Sequence, residues 1–180
     1  PDKSIDACFF NGAIRTEENE HMAKLLRQKS KILVAFGSCA CDGCVKGLAN
    51  LWSKKTIFER TYFETPSTKN PESVTPSTSF KVKEGKLELP EFYDTVRTLG
   101  QTVDVDYFLA GCPPPIPSIM QAFGAIVSGE LPPKGASLLP SKSICDECPR
   151  EKRERKLHEI KRIYEIDDDF KTCFWDQQVI

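Results

Sequence analysis

Apolar residues in the first part of the chain predict a strand, a helix and a second strand. The run "IDACFF" (residues 5–10) is short and apolar and ends at the turn Asn11-Gly12. Residues 16–30 place acidic side chains early and basic side chains late, as the helix dipole favours. The run "KILVAF" (31–36) does not alternate, which is typical of a strand buried on both faces. This order predicts a parallel sheet covered by helices.

Regular patterns stop in the middle of the chain and return after it. Residues 53–90 are rich in Pro, Ser and Thr and have no sustained period, which predicts a long surface excursion. Residues 89–101, "LPEFYDTVRTLGQ", predict a helix. Residues 103–111, "VDVDYFLAG", predict a strand. Residues 117–129 predict a helix that begins at a proline and ends at Gly129.

These patterns divide the chain into three parts. Residues 1–130 are predicted to form an α/β domain, residues 131–143 a proline-marked linker, and residues 144–180 a cysteine-bearing tail. The chain opens at Pro1 without a methionine and closes on "DQQVI", so we expect it to be part of a longer subunit.

Composition narrows the class of protein. A chain of 180 residues with 39% hydrophobic residues is long enough for one domain with a real core. The net charge of −1 argues against a general nucleic-acid-binding role. No apolar run approaches the ~18 residues that a bilayer span requires, so no transmembrane segment is predicted.

The eight cysteines change this picture more than any other residue type. Disulfide-dense domains are usually short, secreted and poor in other core residues, whereas this chain has apolar strand and helix patterns of its own. The cysteines cluster at C-x-C-x-x-C and C-x-x-C spacings, which metal ions and iron–sulfur clusters commonly use. We therefore favour metal or cluster binding over disulfides.

Two cysteines follow the two predicted central strands. Cys39 comes shortly after "KILVAF", and Cys112 directly follows "VDVDYFLAG". In a parallel sheet both would reach the crevice at the carboxyl ends of the strands, where ligands bind. Gly37 and Gly111 permit the sharp turns that a bulky cofactor requires. The pattern favours an iron–sulfur cluster, with two free core cysteines as the alternative.

Three further cysteines lie in the tail. Cys145 and Cys148 form a C-x-x-C motif, a spacing that zinc sites, redox dithiols and iron–sulfur clusters all use. Cys173 follows later, and three cysteines make an incomplete tetrahedral set. His158 could complete it, but it lies in the charged stretch 149–166, which predicts an exposed helix and a solvated histidine. His21, on the first charged helix, is predicted to be solvated for the same reason.

Three motifs together resemble one known family. The sequences "GSCA" (37–40), "GCPPP" (111–115) and "CDECPR" (145–150) are similar to those of the small subunit of [NiFe] hydrogenases. The resemblance is strongest to the cytoplasmic, heterodisulfide-reductase-associated (F420-non-reducing, methyl-viologen-reducing) group. Related iron–sulfur subunits occur in quinone-reducing complex I. The resemblance implies a flavodoxin-like parallel sheet with helices on both faces, followed by an irregular iron–sulfur tail.

The resemblance also implies which cysteines hold clusters. In the family a proximal [4Fe–4S] cluster has four cysteine ligands, of which two match Cys39 and Cys112. The other two belong to an N-terminal C-x-x-C that is absent from these 180 residues. Cys145, Cys148 and Cys173 match three ligands of a distal cluster. Its fourth ligand is expected just beyond residue 180, and the medial-cluster cysteines farther on.

Two positions depart from the family pattern. Asn11 stands where the family usually has glutamate, and Cys44 stands where it commonly has glycine. Some oxygen-tolerant relatives carry an extra cysteine at the latter place, so Cys44 is a candidate extra proximal ligand. We interpret Cys41 and Cys8 as non-ligands.

The function implied by the resemblance is electron transfer. The subunit would carry electrons from the nickel–iron site of a partner large subunit to an iron–sulfur or flavin acceptor such as the heterodisulfide reductase complex, in the cytoplasm and in the setting of methanogenesis. It would hold no nickel and no catalytic residue itself, although it belongs to an H2-oxidising oxidoreductase. The alternatives are a zinc-stabilised interaction module and a complex I-type subunit with membrane partners.

Overall fold

The computed structural model describes residues 2–151, 158–166 and 171–178, and the chain divides into two compact units, Pro1–Leu139 and Pro140–Ile180. The strands in chain order are β1 Ile5–Asn11, β2 Ile14–Thr16, β3 Ser30–Phe36, β4 Ser79–Val82, β5 Gly85–Glu88, β6 Phe92–Arg97 and β7 Tyr107–Leu109. The α-helices are α1 Glu17–Lys29, α2 Ser38–Asp42, α3 Cys44–Gly47, α4 Lys54–Glu59, α5 Ile116–Ser128 and α6 Ile144–Glu147. Shorter 3-10 and π segments are Leu48–Leu51, Arg60–Glu64 and Ile163–Glu165.

A parallel sheet with strand order β1-β3-β7 forms the centre of the first unit. Residues next to Leu139 extend it, because the Phe108 N–H donates to the Ala136 carbonyl (3.1 Å) and the Leu138 N–H donates to the Phe108 carbonyl (2.8 Å). The first unit therefore continues to Leu139, beyond the predicted end at residue 130. Backbone hydrogen bonds hold this part of the expected linker against β7.

Both faces of the sheet are covered, as the sequence predicts. On one face, Leu33 and Ala35 of β3 pack with Ala23 of α1 and Ala40 of α2. On the other face, Val34 packs with residues of β7 and α5. The alternation of neighbouring β3 residues between two cores explains why this strand is continuously apolar.

The first predicted helix is confirmed, and its start is fixed by a capping box. The Asn19 N–H donates to Thr16 Oγ1 (3.2 Å), and the Thr16 N–H donates to Asn19 Oδ1 (3.1 Å). Acidic residues occupy its first turn and basic residues its last turn. The helix predicted at 117–129 is also confirmed as α5, which ends at Gly129 in the left-handed conformation.

The helix predicted at 89–101 is wrong, because part of this segment forms the strand β6. Strand β6 pairs antiparallel with β2, which the sequence did not reveal as a strand. On its other side, Asn50 forms two bonds with Val96: its Nδ2 donates to the carbonyl (2.8 Å), and its Oδ1 accepts from the N–H (2.7 Å). Partners distant in sequence thus supply the hydrogen bonds that a helix would make locally.

The excursion at 53–90 carries short elements of its own. Helix α4 continues into the π segment Arg60–Glu64, and β4 and β5 form an antiparallel hairpin. Most residues of this hairpin are exposed. The segment therefore contributes little to the two cores of the sheet.

The second unit is small and irregular. The Glu151 N–H donates to the Lys171 carbonyl (2.8 Å), and the Cys173 N–H donates to the Glu151 carbonyl (2.9 Å). Of the helix predicted at 149–166, residues 152–157 lie outside the described residues, and residues 158–162 are not helical. No helix in the described part of the chain is long and apolar enough to cross a membrane.

A buried carboxylate ties the first unit together at the amino end of β7. Asp106, 1% exposed, accepts bonds from Arg27 Nη1 (2.5 Å) and the Leu33 N–H (2.8 Å), and forms an ion pair with Lys134 (2.6 Å). Burial raises the pKa of Asp106, but these hydrogen bonds outweigh it and lower the pKa to about 2. The carboxylate therefore connects helix α1, two strands and the segment that follows α5.

Removal of this charge is expected to destabilise the first unit. Asp106→Asn should lower the free energy of unfolding by about 3–5 kcal/mol, because it leaves Arg27 without its buried anion. Asp6→Asn, which breaks an exposed ion pair with Lys31, is the control and should have little effect. Urea unfolding followed by circular dichroism measures both. Equal stability of the two variants would contradict this role.

The same carboxylate predicts a loss of stability in acid. The folded pKa of about 2 lies below the 3.8 of an unperturbed aspartate, so the unfolded chain takes up the proton first as the pH falls. The contribution of Asp106 is complete above about pH 4 and disappears between about pH 4 and pH 2. Asp106→Asn should remove this part of the pH dependence in the same urea experiments.

Candidate functional site

The carboxyl ends of β3 and β7 are joined by hydrogen bonds. The Gly37 N–H donates to the Leu109 carbonyl, and the Ser38 N–H donates to the Gly111 carbonyl, both at 2.8 Å. The Gly111 N–H in turn donates to Ser38 Oγ at 3.0 Å. Cys39 and Cys112 directly follow Ser38 and Gly111. The structure therefore brings together the segments that carry both cysteines, at the edge that the sequence indicated.

Two glycines let these segments approach each other. Gly111 has φ +135°, and a Cβ built there would lie 2.4 Å from Pro114 Cα and 2.7 Å from Pro114 N. Gly37 has φ +85°, and its Cβ would meet the Gly111 carbonyl oxygen at 3.5 Å and Asn11 Nδ2 at 3.8 Å. Asn11, at the end of β1, thus reaches the same edge. A side chain at position 111 cannot fit without movement of the backbone.

The two cysteines differ in exposure. Cys39 lies in α2 and is partly buried, and its carbonyl accepts from the Gly43 N–H (3.2 Å). Cys112 is exposed and is joined to Pro113 by a cis peptide bond. One thiol of the pair is therefore open to a partner or cofactor, while the other is held in a short helix.

Three other cysteines of the first unit have different surroundings. The Cys41 thiol donates to the Ala35 carbonyl (3.3 Å), and burial, with a smaller contribution from the charge of Asp42, raises its pKa to about 11. Burial thus disfavours the thiolate form of Cys41. Cys8 packs with Cys41 against the core. Cys44 is partly buried and has φ +47°.

The tail cysteines lie on two segments of the second unit. Cys145 belongs to α6 and is exposed, and Cys148 directly follows this helix. The Asp146 carboxylate accepts from the Ser143 N–H (2.7 Å) and fixes the start of α6. The Cys173 N–H donates to the carbonyl of Glu151, close after the C-x-x-C motif in sequence. This bond brings the segment of Cys173 to the residues that follow the motif.

The described cysteines do not form a complete metal site among themselves. Within residues 2–151, 158–166 and 171–178, no group of three or more Cys, His, Asp or Glu side chains is arranged to hold a metal ion. The edge still suits a thiolate-bound cofactor, because the exposed Cys112 and the partly buried Cys39 lie on adjoining segments that hydrogen bonds hold together. Cys39 and Cys112 can supply half of a four-thiolate ligand set.

Ser38 holds the edge that carries Cys39 and Cys112, and Asp106 holds the start of β7; neither role was predicted from the sequence. Ser38 stands between Gly37 and Cys39, and a small hydroxyl residue beside a strand-end glycine was the available signal. Asp106 interrupts an apolar run, which marks a charge that needs buried partners.

The chain is similar to one protein family and to subunits of hydrogenases. Residues 1–126 match the family described as "NADH ubiquinone oxidoreductase, 20 Kd subunit". The chain is 40% identical, over 98% of its length, to the iron–sulfur subunit of the F420-non-reducing hydrogenase from Archaeoglobus profundus. It is 35% identical, over 97% of its length, to a subunit of the vhu F420-non-reducing hydrogenase from Methanocaldococcus jannaschii. The chain spans 57% and 55% of these two relatives.

A solved structure has a similar fold. A chain of the crystal structure of an NAD+-reducing [NiFe]-hydrogenase in the H2-reduced state matches with a TM-score of 0.61 and 25% sequence identity. The match covers 76% of the present chain and 68% of that chain.

The close approach at Gly111 leads to a test of the edge itself. Gly111→Ala should lower the free energy of unfolding by roughly 1–3 kcal/mol, because the new Cβ collides with Pro114 at a positive φ. Gly124→Ala is the matched control: its Cβ meets nothing within 4 Å, and alanine favours the α5 helix by up to ~1 kcal/mol. Urea unfolding compares the two, and equal stability would contradict the argument.

Proposed function

Because the chain belongs to the NADH ubiquinone oxidoreductase, 20 Kd subunit family, we propose that it forms part of the electron-transfer small subunit of a [NiFe] hydrogenase. The subunit carries electrons from the nickel–iron site of a partner large subunit to an iron–sulfur or flavin acceptor such as a heterodisulfide reductase complex. It is cytoplasmic and takes part in H2 oxidation without holding nickel itself.

The lengths of chain that the similarities cover favour a hydrogenase subunit over a complex I-type subunit. The family match ends at residue 126, whereas the likeness to the Archaeoglobus profundus iron–sulfur subunit covers 98% of the chain. The similarity to a protein named as a hydrogenase iron–sulfur subunit therefore extends over the tail that contains the C-x-x-C motif. This supports a flavodoxin-like first unit followed by an iron–sulfur tail.

The observation that carries the proposal is the hydrogen-bonded pair Ser38 and Gly111. Through it, two strands that are distant in sequence place Cys39 and Cys112 on adjoining segments. We propose that these cysteines hold a proximal [4Fe–4S] cluster, which supplies one-electron transfer when bound. Residues outside this sequence supply the remaining ligands, and Cys44 is a candidate extra one.

In the tail, Cys145, Cys148 and Cys173 are proposed to hold part of a distal [4Fe–4S] cluster. The described tail has few buried side chains, since Thr172 is its only buried residue there. A unit with so little core requires another source of folding free energy, which cluster ligation provides. The medial cluster would use residues outside this sequence.

A surface beside Cys112 supports the large-subunit partner. On α5, four apolar residues at helical spacing are each more than half exposed: Ile116, Met120, Phe123 and Val127. This helix begins directly after the proline run that follows Cys112. An exposed apolar stripe next to the edge is typical of a surface that another subunit covers. We propose that the large subunit packs here.

The proximal cluster is tested at Cys112. Cys112→Ala in the anaerobically purified protein should remove about four iron atoms per chain and lower H2-dependent dye reduction by about 100-fold or more. Cys8→Ala is the matched control, since Cys8 packs against the core, and it should keep its full iron content. Iron and sulfide analysis with electron paramagnetic resonance provides the measurement. Unchanged iron in Cys112→Ala would refute the assignment.

The distal cluster is tested separately in the tail. Cys148→Ala should lose tail-cluster iron while the circular dichroism of the sheet and its helices stays the same, because Cys148 belongs to the second compact unit. Lys142→Ala, an exposed neighbour, should keep the iron. A colourless protein with zinc bound at Cys145 and Cys148 would instead establish the zinc-stabilised module.

A further inference from the structure

An arginine of the first unit has a buried guanidinium without a hydrogen-bond partner. All three side-chain nitrogens of Arg15 are shielded from solvent, and none has a partner among the residues that the structure describes. Its guanidinium carbon lies 4.5 Å from the centre of the Phe92 ring. Burial lowers the pKa of Arg15, and the nearby charge of Asp94 opposes this only in part. An unpaired buried cation is costly, so it calls for an anion.

The carboxylate of Asp94, whose charge acts on Arg15, accepts a hydrogen bond from another residue. Asp94 Oδ1 accepts a hydrogen bond from the Lys54 N–H at 2.8 Å. No ion pair of 4 Å or less joins Asp94 to Arg15 within the described parts of the chain. The negative charge of Asp94 therefore partly offsets the positive charge of Arg15, but Asp94 accepts no hydrogen bond from the Arg15 side chain.

Arg15 lines a cavity of about 330 Å³. Lys46 and Asn19 also line it, so a second cation and a side-chain amide face the same space. The other walls include Ile57, Phe92 and Val96, which are apolar. No Asp or Glu of the described chain lines this cavity. It thus combines positive charge with a hydrophobic lining.

We propose that this cavity binds a small organic carboxylate. The planar guanidinium matches the two oxygens of a carboxylate, and Lys46 adds a second positive charge. The apolar walls would contact the carbon body of the ligand, and the volume falls within the range of small-molecule sites. An inorganic anion would leave these walls unused. Because the Arg15 nitrogens are shielded from solvent, this proposal requires the Arg15 side chain to turn towards the cavity when the ligand binds.

Binding of 3-phenylpropionate, a carboxylate with an apolar body, tests this site in the full protein. Calorimetric titration should give saturable binding to the natural protein. Arg15→Met should weaken it at least tenfold, since it keeps most of the volume of the side chain but removes the charge. Arg60→Met is the control: Arg60 is exposed, pairs with Glu64 and does not line this cavity, so binding should be unchanged.

Thermal unfolding supplies a second readout, of which the comparison without ligand does not depend on affinity. Without ligand, Arg15→Met should raise the Tm by a few degrees, because it removes an unpaired buried cation. With saturating 3-phenylpropionate, the natural protein should gain more Tm than the variant does. This pattern distinguishes a binding residue from one that only supports the fold.

Several outcomes would overturn the proposal. Absence of binding to the natural protein, or equal binding by Arg15→Met, removes the site. Binding of inorganic phosphate in preference to 3-phenylpropionate shows that the ligand class is wrong. A third outcome is that Arg15→Met loses a co-purifying subunit while the natural protein does not bind 3-phenylpropionate. This outcome shows instead that an acidic side chain of a partner pairs with Arg15.

Discussion

The reciprocal hydrogen bonds between Ser38 and Gly111 are the constraint on which the candidate site depends. They continue the parallel pairing of β3 and β7 past the last paired residues, Phe36 and Leu109. Each of the two residues is followed by a cysteine, so these bonds bring the backbone segments of both cysteines together. Since Gly111 has no room for a Cβ, this arrangement also fixes the residue type.

A second constraint acts at the other end of β7. Asp106 accepts hydrogen bonds from Arg27 and the Leu33 N–H, and thereby holds α1 and β3 to the start of β7. A charge this deeply buried stabilises the fold only while all its partners are in place. β7 is a short strand. A side-chain carboxylate fixes its first end, and the joined loops fix its last end. Such fixed ends would suit the proposed cluster site, since a bound cofactor needs ligands on fixed segments.

Two pairs of cysteines differ in environment. Cys41 and Cys8 pack against the core, and the raised pKa of Cys41 keeps its thiol protonated. Cys112 and Cys145 are exposed on segments that are held by hydrogen bonds. The exposed thiols are open to a cofactor, whereas thiols that pack against the core serve as small apolar side chains. The apolar stripe of α5 beside Cys112 fits the same interpretation, because it offers a surface for a partner subunit.

The sequence by itself determined the central strands, the two long helices and the placement of Cys39 and Cys112 after strands, because these follow from local apolar patterns and caps. Only the tertiary structure decided that residues 92–97 form a strand. The side chain of Asn50 forms hydrogen bonds with the backbone of Val96, which lies 46 residues away. The Ser38–Gly111 bond likewise joins residues 73 apart. The unpaired guanidinium of Arg15 depends on neighbours from several elements. Contacts between residues that are distant in sequence produce no periodic pattern of apolar and polar residues, so no local pattern could predict them.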